Sequence, residues 1–130
     1  MTSPTNLKYI KDHDWACFES NGTATLGVTD FAQESLGDVV FVELREIGED
    51  VTQFQPFGEV ESVKAVSELV SLVSGTVIDR NDEIFVKPEL VNQSPYGEGW
   101  LIKVKVSDAT DVSKLMDADD YDTFIESDSA

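Results

Sequence analysis

The stretch FGEVESVKAVSELVS, residues 57–71, alternates apolar and polar residues on both sides of Lys64. A period near two predicts a pair of half-buried strands, with Lys64 near the turn that joins them. No other lysine occurs between Lys11 and Lys87, and three glutamates stand close by, Glu59, Glu61 and Glu68. The pattern therefore predicts an isolated amine at a hairpin tip, where an acylating enzyme could reach it. The alternative is an ordinary solvated lysine at the end of a strand.

The composition is that of one globular domain with a strongly acidic surface. The chain has 130 residues, 41% of them hydrophobic, and 26 acidic against 9 basic residues give a net charge of −17. This length is enough for one core. Such a charge repels nucleic-acid phosphates and anionic membranes, which excludes both as partners, and favours cationic ones. The alternative reading of the acidity is solubility alone. The longest strongly apolar run, residues 39–42, is too short to span a bilayer.

Cysteine usage and the N-terminus predict a soluble intracellular protein. Cys17 is the only cysteine, so neither an intrachain disulfide nor a thiolate metal cluster can form. Residues 1–6 lack both the apolar core of a signal peptide and an Arg-rich transit pattern. Met1 favours the bacterial cytoplasm, and the alternative is a mitochondrial matrix after removal of a presequence.

The motifs of self-sufficient active sites are missing from the sequence. It contains no Gly-x-Ser-x-Gly, Gly-x-Gly-x-x-Gly or Gly-Lys-Ser/Thr pattern. With His13 and Cys17 as the only histidine and cysteine, metal sites and Cys-His catalysis are poorly supplied. We therefore expect a non-catalytic protein.

Short strands separated by turn signals predict the fold class. It is mainly β, a small β-sandwich or flattened barrel with a short internal helix and C-terminal helices. We expect a single domain over residues 1–130, with a core from about 7 to 125, fraying from Glu126 onward and mobile termini. The predicted strands, besides the pair around Lys64, are Trp15–Glu19, Thr23–Val28, Val39–Leu44, Thr76–Asp79 and Trp100–Val106. A helix is predicted from Thr29 or Asp30 to Leu36, ended by Gly37, and Lys87–Gly99 is predicted to be an ordered loop with one helical turn. From Asp111 onward we expect helical pieces, the second of them capped by Asp117 or Asp119.

The residues around Lys64 also carry a resemblance to a known family. ESVKA, residues 61–65, resembles the lipoyl attachment motif, and the chain from Leu7 to Phe124 resembles the H proteins of the glycine cleavage system. Four ordered blocks carry the resemblance, residues 11–15, 26–40, 58–65 and 94–103. The family often has His-Glu-Trp where this chain has an aspartate at Asp14, and Ser-Pro where this chain has Ser-Leu at residues 71–72. The resemblance implies a lipoyl-domain fold, the barrel-sandwich hybrid.

The same resemblance implies a function for Lys64. Its amine would be joined by an amide to lipoic acid, attached by a lipoate ligase or a lipoyl/octanoyl transferase. The chain would then be a monomeric lipoyl carrier in glycine catabolism and one-carbon metabolism. Its swinging arm would take the aminomethyl group of glycine from glycine decarboxylase, the pyridoxal-phosphate P protein. It would pass the group to the aminomethyltransferase, or T protein, and be reoxidised by the flavin-dependent dihydrolipoyl dehydrogenase, or L protein.

In the family the loaded arm folds into a surface cleft, and the matching positions here include Asp14 and Glu68. Our hypothesis adds an apolar wall to that cleft. Asp14 and Glu68 would form its carboxylate end with Asp12 close by, and Val28 and Leu36 would form an apolar wall. The alternative is that Asp14 and Glu68 are solvated surface acids. For His13 we favour a structural or partner-contact role over that of a base.

Four other functions compete with this interpretation. A biotin carrier is disfavoured because Val63 and Ala65, rather than methionines, flank the lysine. A lipoyl domain of a 2-oxoacid dehydrogenase is disfavoured because the sequence shows no linker or second domain. A lipoyl-relay protein, which donates lipoate to other enzymes, and an unmodified β-sandwich interaction module both remain. Activity with glycine decarboxylase separates the relay from the carrier, and modification of Lys64 separates both from the module.

Overall fold

The computed structural model describes residues 3–128 and contains two antiparallel β-sheets. The larger sheet has the strand order β1-β2-β3-β9-β8-β5, and the smaller has the order β4-β6-β7. The strands are β1 Lys8–Tyr9, β2 Asp14–Phe18, β3 Thr23–Val28, β4 Val39–Leu44, β5 Asp50–Val51, β6 Pro56–Ser62, β7 Val66–Val70, β8 Gly75–Arg80 and β9 Ile102–Val106. The helices are α1 Asp30–Leu36, α2 Glu83–Val86, α3 Leu90–Gln93 and α4 Ala118–Asp128, with a 3-10 helix over Ala109–Lys114.

The main core lies between the inner faces of the two sheets. Side chains that alternate along the strands meet there, among them Leu26, Val42, Val60, Leu69 and Val104, all at most 2% exposed. Alternation with a period of two buries one face of β6 and leaves the other toward water, whereas β3, inside the larger sheet, is buried along nearly its whole length. The arrangement confirms the predicted mainly β sandwich.

A second, aromatic cluster packs helix α4 against the edge of the larger sheet. Tyr9 and Tyr121 stack with their ring centroids 4.6 Å apart, and Trp15 and Ile125 belong to the same cluster. Ser3 is buried beside this cluster, and its hydroxyl donates a 2.6 Å hydrogen bond to Asp122. The packing therefore begins before residue 7, the predicted start of the core. It also fixes the β1–β2 connection, which carries Asp12 and His13.

The helices near residue 80 and after residue 107 differ from the prediction. Helix α2 was not predicted, and the segment around Asp111 is a 3-10 helix in which this aspartate is buried and accepts a hydrogen bond from Ser74 N–H. Ser74 lies 37 residues from Asp111 in the sequence, so no local pattern predicts the contact. Of the two predicted caps for the last helix, Asp117 accepts a hydrogen bond from Asp120 N–H.

Strand ends and the C-terminus also differ in detail. Strand β2 begins at Asp14 rather than Trp15, and β9 begins at Ile102 rather than Trp100. Helix α4 continues through Glu126 to Asp128, and residues 1, 2, 129 and 130, where mobile termini were predicted, lie outside the described residues. No helix within residues 3–128 is both long enough and apolar enough to cross a membrane.

Candidate functional site

Lys64 lies in the turn between β6 and β7, and the turn is organised by one buried side chain. Ser62 is 5% exposed, and its hydroxyl accepts hydrogen bonds from Lys64 N–H at 3.3 Å and Ala65 N–H at 3.1 Å. Its own backbone N–H donates to Ala65 O at 2.8 Å. A serine that bonds to backbone groups two and three residues ahead is a local turn-former. The turn therefore holds Lys64 in a defined place while its side chain remains exposed.

A groove of about 290 Å³ lies beside this turn, between helix α1 and the edge strand β7. The β1–β2 connection closes one end of it. All five residues predicted for the cleft line the groove, namely Asp12, Asp14, Val28, Leu36 and Glu68. The structure thus brings together residues that are far apart in the sequence, since Asp12 and Glu68 are separated by 56 positions.

The groove has eight further lining residues that the sequence does not place in the cleft. They are His13, Ala32, Ser35, Val60, Ala65, Val66, Ser67 and Leu69. The alternation of residues 57–71 predicts that Val60 and Leu69 face inward, but not that helix α1 leaves the space beside them open. Ser67 pairs with Val60 across the hairpin, and cross-strand partners share a face of the sheet. Ser67 therefore lies on the inner, groove side of β7.

The two predicted acids of the groove have different environments. Asp14 is 2% exposed, and its carboxylate accepts a hydrogen bond from Val70 N–H at 3.2 Å. Burial raises the pKa of Asp14 well above its usual range, and the negative charge of Asp12 raises it further. The hydrogen bond from Val70 N–H lowers the pKa and offsets part of this increase. Glu68 is exposed. Asp14 is therefore not a solvated surface acid, whereas Glu68 lies on the water side of the groove.

His13 belongs to a hydrogen-bonded network behind the groove. Its Nδ1 shares a 2.8 Å hydrogen bond with the Tyr121 hydroxyl, which in turn shares a 2.7 Å hydrogen bond with Thr29 Oγ1. Thr29 is the N-cap of helix α1 and accepts a hydrogen bond from Ala32 N–H. Burial raises the pKa of Tyr121, so this hydroxyl stays protonated and can donate. The network ties α4 to the start of the helix that forms one groove wall, which supports the structural role for His13.

The fold and this site together define a class of protein, a lipoyl-type domain with an exposed lysine on a fixed hairpin beside a groove. Residues 7–128 match the family model described as glycine cleavage H-protein. The glycine cleavage system H protein of Brevibacillus brevis is 50% identical over 125 residues, covering 96% of this chain and 98% of the relative. The mitochondrial H protein 2 of Arabidopsis thaliana is 51% identical, covering 96% of this chain and 80% of the relative. The chain belongs to the glycine cleavage H-protein family.

A solved structure agrees with this assignment. The crystal structure of a glycine cleavage system H protein from Mycobacterium marinum superposes with a TM-score of 0.87 at 36% identity. The match covers 93% of this chain and 97% of the other. The lipoyl-domain fold implied by the sequence resemblance is thereby confirmed.

Proposed function

We propose that Lys64 is the residue through which this chain carries lipoic acid in the glycine cleavage system. The observation that carries the proposal is the exposed lysine on a turn fixed by buried Ser62, next to a groove with apolar walls and a carboxylate end. When bound, the lipoyl group supplies a dithiolane that takes up and passes on the aminomethyl group of glycine. Forming the amide removes one positive charge, so the net charge would change from −17 to −18.

The groove is suited to an arm that is mainly aliphatic and carries an amine at its end. Val28, Leu36 and Leu69 supply apolar surface, and Asp14 and Glu68 supply carboxyl groups. A cationic amine that leaves water needs a paired negative charge. We propose that Asp14 and Glu68, with Asp12 nearby, bind that amine, while the apolar wall excludes water from the arm.

The role in glycine cleavage sets the partners and the location that we propose. As a single carrier domain without catalysis of its own, the chain would visit the glycine decarboxylase, the aminomethyltransferase and the dihydrolipoyl dehydrogenase, and would be loaded by a lipoate ligase or a lipoyl/octanoyl transferase. Relatives named for glycine cleavage favour this role over lipoate relay. Bacterial relatives support a bacterial cytoplasm, and the mitochondrial relative keeps the organelle matrix as the alternative.

The experiment that tests the proposal is the intact mass of the protein made in cells supplied with lipoate. We expect one added lipoyl group on the parent protein and none on Lys64→Arg, which keeps the positive charge but offers no primary amine. An unmodified parent protein, in cells whose ligase modifies a control domain, would contradict the carrier function and favour the interaction module. Modification that persists in Lys64→Arg would place the attachment site elsewhere.

A further inference from the structure

The Lys64 turn rests on the connection between helix α1 and strand β4, residues Gly37 and Asp38, which we call the α1–β4 corner. Val63 N–H donates a 3.0 Å hydrogen bond to Asp38 O. The lysine side chain lies along Gly37, since a methyl group placed there would be 3.4 Å from Lys64 Cε, 3.9 Å from Cδ and 4.0 Å from Nζ. The corner therefore contacts both the backbone of the turn and the stem of the lysine, although Lys64 is exposed.

The conformation of Gly37 explains why a glycine occupies this corner. Its φ of 79° and ψ of −161° lie in a region that is essentially restricted to glycine. A Cβ there would already be in van der Waals contact with the lysine stem. A longer side chain would compete with the stem for the space beside it.

Asn92 on helix α3 fixes the corner from behind. Its Nδ2 donates to Gly37 O at 2.8 Å and to Gln33 Oε1 at 3.1 Å, and its Oδ1 accepts from Val39 N–H at 2.9 Å. These three bonds hold the end of α1, the corner and the start of β4 together. The asparagine is part-buried and lies on an element that supplies no groove residue.

We propose that Gly37 and Asn92 are positioning residues for Lys64. The corner holds the lysine stem in a preferred conformation at the mouth of the groove, since Gly37 directly follows the groove residue Leu36. A stem that is already ordered has less rotamer freedom to lose when an attaching enzyme binds it. The consequence for lipoylation rests on the proposed function of Lys64, whereas the ordering of the stem is a property of the unmodified chain.

Side-chain NMR of the unmodified, full-length protein labelled with ¹³C-lysine tests the ordering directly. Lys64 signals are assigned by their loss in Lys64→Arg, and exposed Lys87 serves as the reference. We expect the Cε order parameter of Lys64 to exceed that of Lys87, together with a nuclear Overhauser contact between Lys64 Hε and Gly37 Hα. A Lys64 side chain as mobile as Lys87 in the parent protein would overturn the proposal.

Two pairs of variants separate positioning from general damage to the fold. Gly37→Asn is compared with Gly48→Asn, because Gly48 also has a positive φ, 95°, but a methyl group there would meet no atom within 4 Å. Asn92→Asp, which sets a carboxylate oxygen against Gly37 O, is compared with the same type of change at the exposed neighbour, Gln93→Glu. We expect the first member of each pair, and not the second, to lower the Lys64 order parameter to that of Lys87.

The same variants are then assayed with a lipoate ligase. We expect kcat/KM to fall about tenfold for Gly37→Asn and less for Asn92→Asp, with both controls close to the parent, because small misplacements of a reacting group are costly. Equal rates within each pair would overturn the positioning role. A parent protein that the ligase cannot modify would contradict the function proposed for Lys64, while the order parameters would still decide whether the corner holds the stem.

Discussion

Asp14 places a carboxyl group at the end of the groove where burial opposes its ionisation. The hydrogen bond from Val70 N–H offsets only part of the lost hydration, so the pKa stays well above the usual range. A carboxyl whose pKa is raised by folding supports stability at low pH, and this contribution is lost as the pH rises through the folded-state pKa. Above that pKa the folded chain bears the cost of a buried carboxylate. If Asp14 binds a cationic amine as proposed, the chain keeps a destabilising carboxylate because ligand binding requires it.

We expect Asp14→Asn to raise the free energy of unfolding at pH 7 by on the order of 1 kcal/mol. The gain should shrink as the pH falls toward the ordinary carboxyl value of 3.8, because the unfolded state then also begins to bind the proton that the folded state already holds. Urea unfolding measured between pH 4 and pH 8 gives both quantities. Glu68→Gln is the matched control, an exposed acid of the same groove whose change should alter stability by less than about 0.5 kcal/mol. Parallel pH profiles for the parent and Asp14→Asn would contradict this account.

The β6–β7 hairpin depends on Ser62 for the shape of its tip. Ser62→Ala removes the acceptor of Lys64 N–H and Ala65 N–H. We expect the free energy of unfolding to fall by about 1 kcal/mol, the usual net value of a hydrogen bond. Amide hydrogen exchange of Lys64 and Ala65 should become faster, while exchange in strand β3 should follow the global change only. Ser67→Ala changes an exposed serine of the same hairpin and should leave both tip amides as they are.

The secondary elements show which parts of the structure are encoded locally. Strands β3 and β4 and helix α1 occur at the predicted bounds because their signals lie within them, including the N-cap Thr29 and Gly37, whose N–H donates to Gln33 O at the helix end. The sequence does not predict helix α2. It also does not predict the burial of Asp111, because the hydrogen-bond partner of Asp111, Ser74, lies in a distant segment. Local periodicity reports which face of an element is apolar, but not what packs on it.

The groove shows the same division between local and tertiary information. A family resemblance indicates Asp14 and Glu68 with Asp12 nearby, Val28 and Leu36 were added as a hypothetical apolar wall, and all five line the groove. Ala32, Ser35 and Ser67 could not be found from local pattern, because their place in the groove depends on how α1 lies relative to β7. The burial of Asp14 likewise depends on the approach of Val70 from another sheet.

At the scale of the whole molecule, the net charge of −17 is weakly compensated by ion pairs. Within residues 3–128 the ion pairs are Arg45–Glu49 at 3.8 Å and Lys103–Glu19 at 3.9 Å, and exposed pairs of this kind contribute little. Across the smaller sheet Glu59 stands directly opposite both Glu43 and Glu68. Like charges directly opposite each other destabilise a sheet. The folded chain therefore holds repulsive charges close together that separate when it unfolds.

We expect added salt to stabilise the protein at pH 7 by screening this repulsion. Raising NaCl from about 0.01 to 0.15 M shortens the Debye length from about 30 to about 8 Å, so the melting temperature should rise by several degrees. Thermal unfolding followed by circular dichroism measures the shift. The same salt series near the isoelectric point of about 4.1 is the control, because many carboxylates are then protonated and the net charge is close to zero. An equal salt effect at both pH values would mean that the ions act on hydration rather than on charge, and would contradict the expectation that repulsion among the carboxylates limits stability.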